Sequence, residues 1–230
     1  METIVFGPLI KKYKVEEDFR LEMLNRGKST NKDWREHLAG HIDVENQFTD
    51  VEDLNYFIKN ITPFLTDYVK EYNNYYKQWA NVSRSDTKHS WNDKLNKKDI
   101  LKVEQLWINF MKAGDFNPPH FHNQDLSFVF FVDVPKEIAI ENENAPYNDY
   151  GPGCLVFSYG EHEERYITTR GFVPSNGDLF IFPAPLKHLV SPFKSDVTRV
   201  SIAGNVSWSL QWFYLKEYRI KTFYLQAINQ

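Results

Sequence analysis

Three histidines and one arginine in the second half of the chain have the types and spacing to hold a metal ion beside an anion. In NPPHFHNQD, His120 and His122 stand two residues apart immediately before an apolar run. If that piece is extended, both imidazoles project to the same face and can chelate one ion. The third candidate, His188, lies in FPAPLKHLVSPF, where a strand resumes after two prolines and a lysine. Imidazole nitrogens, with or without a carboxylate, suit Fe(II), Mn, Ni, Cu or Zn. Cys154 is the only cysteine, which leaves a thiolate site unsupported. Eleven residues beyond His188 comes Arg199, in TRVSIAGN, with Ser201 on the same strand face. A guanidinium beside a metal is suited to grip a carboxylate bidentately. The intervening SPFKSD reads as a hairpin loop with its turn near Phe193 and Lys194, which predicts His188 and Arg199 nearly opposite each other on paired strands.

The elements that must position these residues are short β-rich runs. From Leu101 onward the chain reads VEQLWINFM, LSFVFFVDV, CLVFSYG, ERYITTR, DLFIFP and VTRVSIAGNVSW, divided by turn residues. SFVFFV and DLFIFP are apolar at nearly every position, as in strands covered on both faces, and the spacing suits a double-sheet jelly roll. Before residue 114 lie only three of the 10 Gly and two of the 11 Pro, so the first part has few turns. There Val15, Phe19 and Met23, and later Leu54, Ile58, Ile61, Leu65, Val69 and Tyr72, recur at helical steps. The spacing predicts helices over Val15 to Arg26 and Val51 to Trp79, the second capped by Thr49 or Asp50 and kinked or divided at Pro63. Val82 to Lys98 reads as a polar loop, and the last 20 or so residues as a closing helix or edge strand. The expected architecture is mainly β with N-terminal helices: residues 1–100 a mostly helical part packing on the core, and 101–230 the jelly-roll core with a C-terminal extension.

With 230 residues, 42% hydrophobic and 16% aromatic, the chain has enough apolar surface for one substantial core. The net charge of −4 comes from interspersed charges without a basic block, which argues against bulk nucleic-acid binding. No apolar run is long enough to span a bilayer, and the N-terminus has neither a charged leader nor a cleavage site. A soluble, cytoplasmic protein without membrane partners is expected.

The ordered set WINFMKAGDFNPPHFH, LSFVFFVDVP, GDLFIFPAPLKHLVSPF and RVSIAGN, from Gln105 to Ser207, resembles the non-haem Fe(II), 2-oxoglutarate-dependent dioxygenases of double-stranded β-helix, cupin-like fold. It is similar in particular to the oxygenase group common in marine bacteria and phages. The resemblance implies Fe(II) and 2-oxoglutarate as cofactors, O2 and a small-molecule or protein side-chain substrate as partners, and hydroxylation coupled to decarboxylation of 2-oxoglutarate to succinate and CO2. Under it, His120 and His188 match the two ligand histidines, and Arg199 the residue that holds the far carboxylate of 2-oxoglutarate. The sequence departs from the pattern at His122, where most members carry an acidic ligand. Either His122 is the third ligand, or Asp125 swings in from the loop, or two histidines suffice with water and co-substrate. A second departure is Phe131, where related hydroxylases often offer a tyrosine hydroxyl; Asn109 and Ser201 are the remaining polar candidates for that contact with 2-oxoglutarate.

Two other functions fit parts of the pattern. A three-histidine cupin-like dioxygenase would bind its substrate to iron without 2-oxoglutarate, and a non-catalytic β-sandwich binding module would keep the histidines for structure or zinc. Among the other histidines, His37 and His41 have helical spacing but lack the glutamate of HExxH, because position 38 is leucine, and read as helix-surface residues. His162 reads as part of a solvated acidic turn, Trp107 and Phe182 as core beside the site, and Cys154 as a small buried strand residue. The loop ENENAPYNDYGPG, from 141 to 153, is expected to flank the barrel mouth, where insertions shape specificity.

Overall fold

The strands that are apolar at every position have both faces covered. The computed structural model describes residues 7–80, 99–146, 150–160, 168–210 and 225–226. In chain order the elements are β1 (Lys11–Lys14), α1 (Glu17–Ser29), β2 (Lys32–Asp33), β3 (Val44–Gln47), α2 (Val51–Ala80), β4 (Asp99–Met111), β5 (Asn117–His120), β6 (Leu126–Asp133), α3 (Lys136–Glu143), β7 (Leu155–Ser158), β8 (Thr169–Phe172), β9 (Asp178–Pro183), β10 (Lys187–Val190), β11 (Arg199–Leu210) and β12 (Leu225–Gln226). The large sheet has the order β1-β9-β6-β11-β4-β3-β2, with β12 also on β4, and the small sheet runs β5-β10-β7-β8. All pairings are antiparallel. The two sheets form the jelly roll of a double-stranded β-helix.

The two-residue period of each large-sheet strand sorts its side chains between two cores. Ile108 of β4, Phe128 and Phe130 of β6, Leu179 and Ile181 of β9 and Ile202 of β11 face outward and pack on Phe19, Met23, Phe57, Ile61 and Leu65 of the two long helices. The alternate residues Phe131, Phe180 and Phe182 turn inward to meet Leu155 and Phe157 of the small sheet. The helices are therefore the outer cover of the large sheet. The first hundred residues also enter that sheet, as β1 against β9 and β3 against β4.

Asp50 caps α2, its carboxylate accepting from the N–H groups of Glu52 (2.8 Å) and Asp53 (3.1 Å). The helix runs unbroken through Pro63. Ile61 and Leu65, both fully buried against the sheet, flank that position, and this packing outweighs the roughly 3 kcal/mol cost of an interior proline. The segment around His37 is a single 3₁₀ turn, Arg35–His37. His41 forms an isolated β-bridge with Phe116 and stacks on its ring, so it is not on a helix surface. The expected polar loop at 82–98, His162 and most of the C-terminal extension lie outside the described residues. Of ERYITTR, residues 164–167 lie outside the described residues, and Thr169 and Arg170 begin β8, which continues to Phe172.

The hairpin expected across SPFKSD does not form. Both edges of β10 are taken, by β5 and β7, while β11 inserts between β4 and β6 in the other sheet. The connection thus crosses from one sheet to the other, with Phe193 buried in the crossing. His188 and Arg199 consequently lie on opposite walls of one cavity rather than on one ladder.

Candidate active site

The small sheet brings the histidines together. β5 is the sequence Asn-Pro-Pro-His, whose prolines favour extended backbone, and it places His120 directly opposite His188 in the β5–β10 ladder. His122 follows the strand, its backbone N–H donating to the Ala184 carbonyl at 2.9 Å. Ring centroids are separated by 4.2 Å for His120 and His188, 5.1 Å for His120 and His122, and 5.2 Å for His122 and His188. Each ring offers one ligand nitrogen, and these all lie within 4.8 Å of one another.

The backbone fixes which nitrogen is free. His120 Nδ1 lies 2.7 Å from the Pro118 carbonyl, and His188 Nδ1 lies 2.8 Å from that of Leu186. A carbonyl only accepts, so Nδ1 carries the hydrogen in both rings and Nε2 keeps its lone pair, the arrangement that orients a metal-binding histidine. Burial, reinforced by repulsion from the neighbouring imidazoles, pushes His188 down to about 3 and His122 down to about 4. His120 is lowered too, by burial. All three rings are neutral at physiological pH, the form that ligates metal. Phe182 meets the His188 ring edge-on at 4.9 Å and keeps this wall dry.

The opposite wall belongs to the large sheet. Arg199 is 2% exposed. One of its nitrogens donates to the Gly153 carbonyl at 2.8 Å, another lies 2.7 Å from the Met111 sulfur, and the guanidinium carbon sits 5.3 Å from the Phe131 ring centroid. Its Nε has no hydrogen-bond partner among the described residues. Burial lowers its pKa to about 10, so it remains charged. Ser201 and Asn109 are cross-strand partners next to it, Asn109 Nδ2 lying 3.4 Å from Ser201 Oγ. Asn109 Oδ1 is buried without a hydrogen-bond partner among the described residues. A buried guanidinium with no carboxylate partner among the described residues, facing three neutral imidazoles, can hold a dicarboxylate whose other end lies at a metal.

Asp125 is not part of this group. Its carboxylate accepts from the Trp208 backbone N–H at 2.7 Å, and its own N–H and carbonyl bond to Val206 and Ala184. Those bonds fasten the start of β6 beside β11 and hold the side chain away from the histidines. Phe131 is fully buried beneath Arg199. Glu45 went unnoticed in the sequence: it is buried on β3 opposite Asn109. VENQ has no apolar alternation to mark it as a strand, and no short motif marks a buried carboxyl.

Residues 105–205 match the family model described as "Putative 2OG-Fe(II) oxygenase". That span contains the three histidines, Arg199, Ser201 and Asn109. Among solved structures the chain is similar to a prolyl hydroxylase from Trichoplax adhaerens in complex with a hypoxia inducible factor oxygen degradation domain peptide fragment, with 12% identity, a TM-score of 0.50 and 87% of this chain and 83% of that one covered. It is also similar to HygX from Streptomyces hygroscopicus, with nickel and 2-oxoglutarate bound, at 8% identity, TM-score 0.50, and 86% and 82% coverage. A third is the non-heme alpha ketoglutarate dependent epimerase SnoN from nogalamycin biosynthesis, at 12% identity, TM-score 0.50, and 86% and 78% coverage. At these identities the likenesses establish the fold. No curated protein matches the sequence. The family match on this fold identifies the core as that of a 2OG-Fe(II) oxygenase, an oxidoreductase whose cofactors are Fe(II) and 2-oxoglutarate. It weighs against a non-catalytic sandwich.

Proposed function

We propose that the protein is a hydroxylase of this class, with His120, His122 and His188 as iron ligands and Arg199 as the clamp on the far carboxylate of 2-oxoglutarate. The observation that carries the reading is the pairing of two walls of one cavity: a neutral three-imidazole cluster on one and, on the other, a buried cation with no carboxylate partner among the described residues. The residues fit the groups. Both His120 and His188 are held by backbone carbonyls with Nε2 free, and Arg199 Nε is a buried donor that a carboxylate oxygen would satisfy. When bound, iron and 2-oxoglutarate supply activation of O2, with oxidative decarboxylation of the co-substrate coupled to oxidation of the substrate. The chain's own part is to fix both ends of the co-substrate and to exclude water with Trp107, Phe131 and Phe182. Ser201 and Asn109 stand beside Arg199 as further hydrogen-bonding groups for the same carboxylate.

Hydroxylation is assigned from the resemblance of the core to hydroxylases. A cytoplasmic setting accords with a single, buried cysteine, and no helix among the described residues is long and apolar enough to cross a membrane. The deciding experiment is anaerobic titration of the iron-loaded protein with 2-oxoglutarate. A visible charge-transfer band should appear, and succinate formation under O2 should vanish in His188→Ala. Absence of the band in the wild-type protein overturns the reading. A second reading, a three-histidine dioxygenase without 2-oxoglutarate, is favoured by the neutral residue at position 122; its mark would be substrate-driven oxygen uptake indifferent to 2-oxoglutarate.

A further inference from the structure

The interior row that carries Ser201 and Asn109 continues past β4. Register extends it to Glu45 on β3 and then to Trp34, whose backbone N–H donates to the Glu45 carbonyl at 2.9 Å. Glu45 is 1% exposed, and neither carboxylate oxygen has a hydrogen-bond partner among the described residues. The cation that acts on it, Arg35, is exposed and engaged with Asp33 through bonds of 2.7 to 3.2 Å. Two more buried acceptors, Asn109 Oδ1 and Asn117 Oδ1, are also unpartnered among the described residues. Gly40 shows that part of this set converges: a Cβ built there would lie 3.1 and 3.3 Å from the Glu45 oxygens and 3.4 Å from Asn117 Oδ1. Asn109 and Asn117 also line the cavity of the three histidines, and Gly40 is half-buried.

A buried carboxylate without a cation is costly, and so is each buried acceptor without a donor. Four buried acceptor oxygens, three of them converging on a glycine whose Cβ would crowd them, call for a group that brings several N–H donors and a positive charge. Neutral amides or hydroxyls would satisfy the hydrogen bonds but leave the charge unpaired. We propose that Glu45, with Asn109 and Asn117, forms a substrate subsite for a cationic nitrogen group, an ammonium or guanidinium, and that the substrate of this oxygenase carries one. The substrate role rests on the reading of the adjoining cavity as the iron and 2-oxoglutarate centre. The subsite itself rests on the geometry of β3, Gly40 and Asn117.

The test uses the full chain loaded with Zn(II) and 2-oxoglutarate, titrated with butylguanidinium and with its neutral analogue butylurea. The readout is the NMR signal of the Trp34 indole N–H, assigned with Trp34→Phe, and of the Asn109 and Asn117 side-chain amides. Butylguanidinium should give saturable shifts and butylurea none. Glu45→Gln, nearly isosteric, should weaken the binding at least tenfold, and Gly40→Ala, which keeps the charge but crowds the Glu45 and Asn117 oxygens, should weaken it as well. Equal response to the two probes, or wild-type affinity in Glu45→Gln, overturns the proposal. Zn(II) content and 2-oxoglutarate affinity in the same samples keep the two readings apart: if the wild type takes up neither, the iron and 2-oxoglutarate reading fails, while the butylguanidinium titration still decides the subsite.

Discussion

Arg199 is where the assignment of 2-oxoglutarate is most exposed to test. The guanidinium is almost wholly buried, it is bonded to the Gly153 carbonyl and touches the Met111 sulfur, and no carboxylate pairs with it among the described residues. With its pKa lowered only to about 10, it keeps its charge at neutral pH. A dianion that seats against it recovers in affinity what burial of the lone charge costs. Truncating one member of such a buried pair costs about 2–5 kcal/mol, so Arg199→Ala should weaken 2-oxoglutarate binding by about 30- to 4000-fold. Arg199→Lys keeps the charge, loses the planar fork and should fall between. Linkage gives an independent readout: at a hundred times Kd, 2-oxoglutarate should stabilise the metal-loaded wild type by about 2.7 kcal/mol, or about 5–10 °C in Tm for a chain of this size. At the same concentration the alanine variant should gain less than about 1 kcal/mol. Metal content should be unchanged in both variants, because the histidines are on the other sheet. Unchanged affinity in Arg199→Ala would remove Arg199 from the site and refute the reasoning.

Exchanging His122→Asp adds a carboxylate beside the metal; the variant should still take up close to one ion by elemental analysis but bind 2-oxoglutarate about tenfold or more weakly, since one positive charge of the site is cancelled. Glu45 gives a pH dependence of stability: burial, opposed by Arg35 and aided by Asp115 and Asp33, raises its pKa from 4.5 to about 7. The folded state therefore holds a proton that the unfolded state releases, so this contribution is complete below pH 4.5 and is lost as pH rises through about 7. The loss is on the order of 3 kcal/mol; urea unfolding at pH 5 and pH 8 should show that difference in the wild type and not in Glu45→Gln. Gly204→Ala in β11 should cost about 3 kcal/mol or more in urea unfolding, because a Cβ there would lie 2.5 Å from the Gln105 backbone oxygen and clash with the Phe128 ring.

What could be read from the sequence was whatever leaves a local signature. The runs in β6 and β9 are apolar throughout because the helices cover one face and the small sheet the other. The pair His120 and His122 is legible because two residues is the period of an extended chain. Pairing across long separations leaves no such mark. SPFKSD has the composition of a turn, yet β10 and β11 part because each already has two partners. Asp125 stands three residues from His122, which suggested a ligand; one hydrogen bond to Trp208 decides otherwise. Within the acidic segment expected as a loop, residues 141–143 instead end the helix α3, and Glu141 accepts from the N–H groups of Lys194 and Ser195 in the connection that crosses between the sheets.

The two unusual residues of this cavity bear on each other through charge. Three neutral imidazoles would leave an Fe(II) ion its full +2, and Arg199 adds +1, so bound 2-oxoglutarate at −2 leaves the reaction chamber at +1. An aspartate at position 122 would have brought that sum to zero at the metal itself. A cationic substrate approaching a +1 centre in a dry cavity is repelled, and the repulsion must be offset where the cation sits. Glu45 supplies the missing negative charge two strands away from Arg199, on the interior row next to it. With its pKa raised to about 7, it is about half protonated in the empty protein at neutral pH, and a seated cation draws the proton off. The carboxylate absent from the metal and the carboxylate buried on β3 are, on this view, one requirement met at a different place in the barrel.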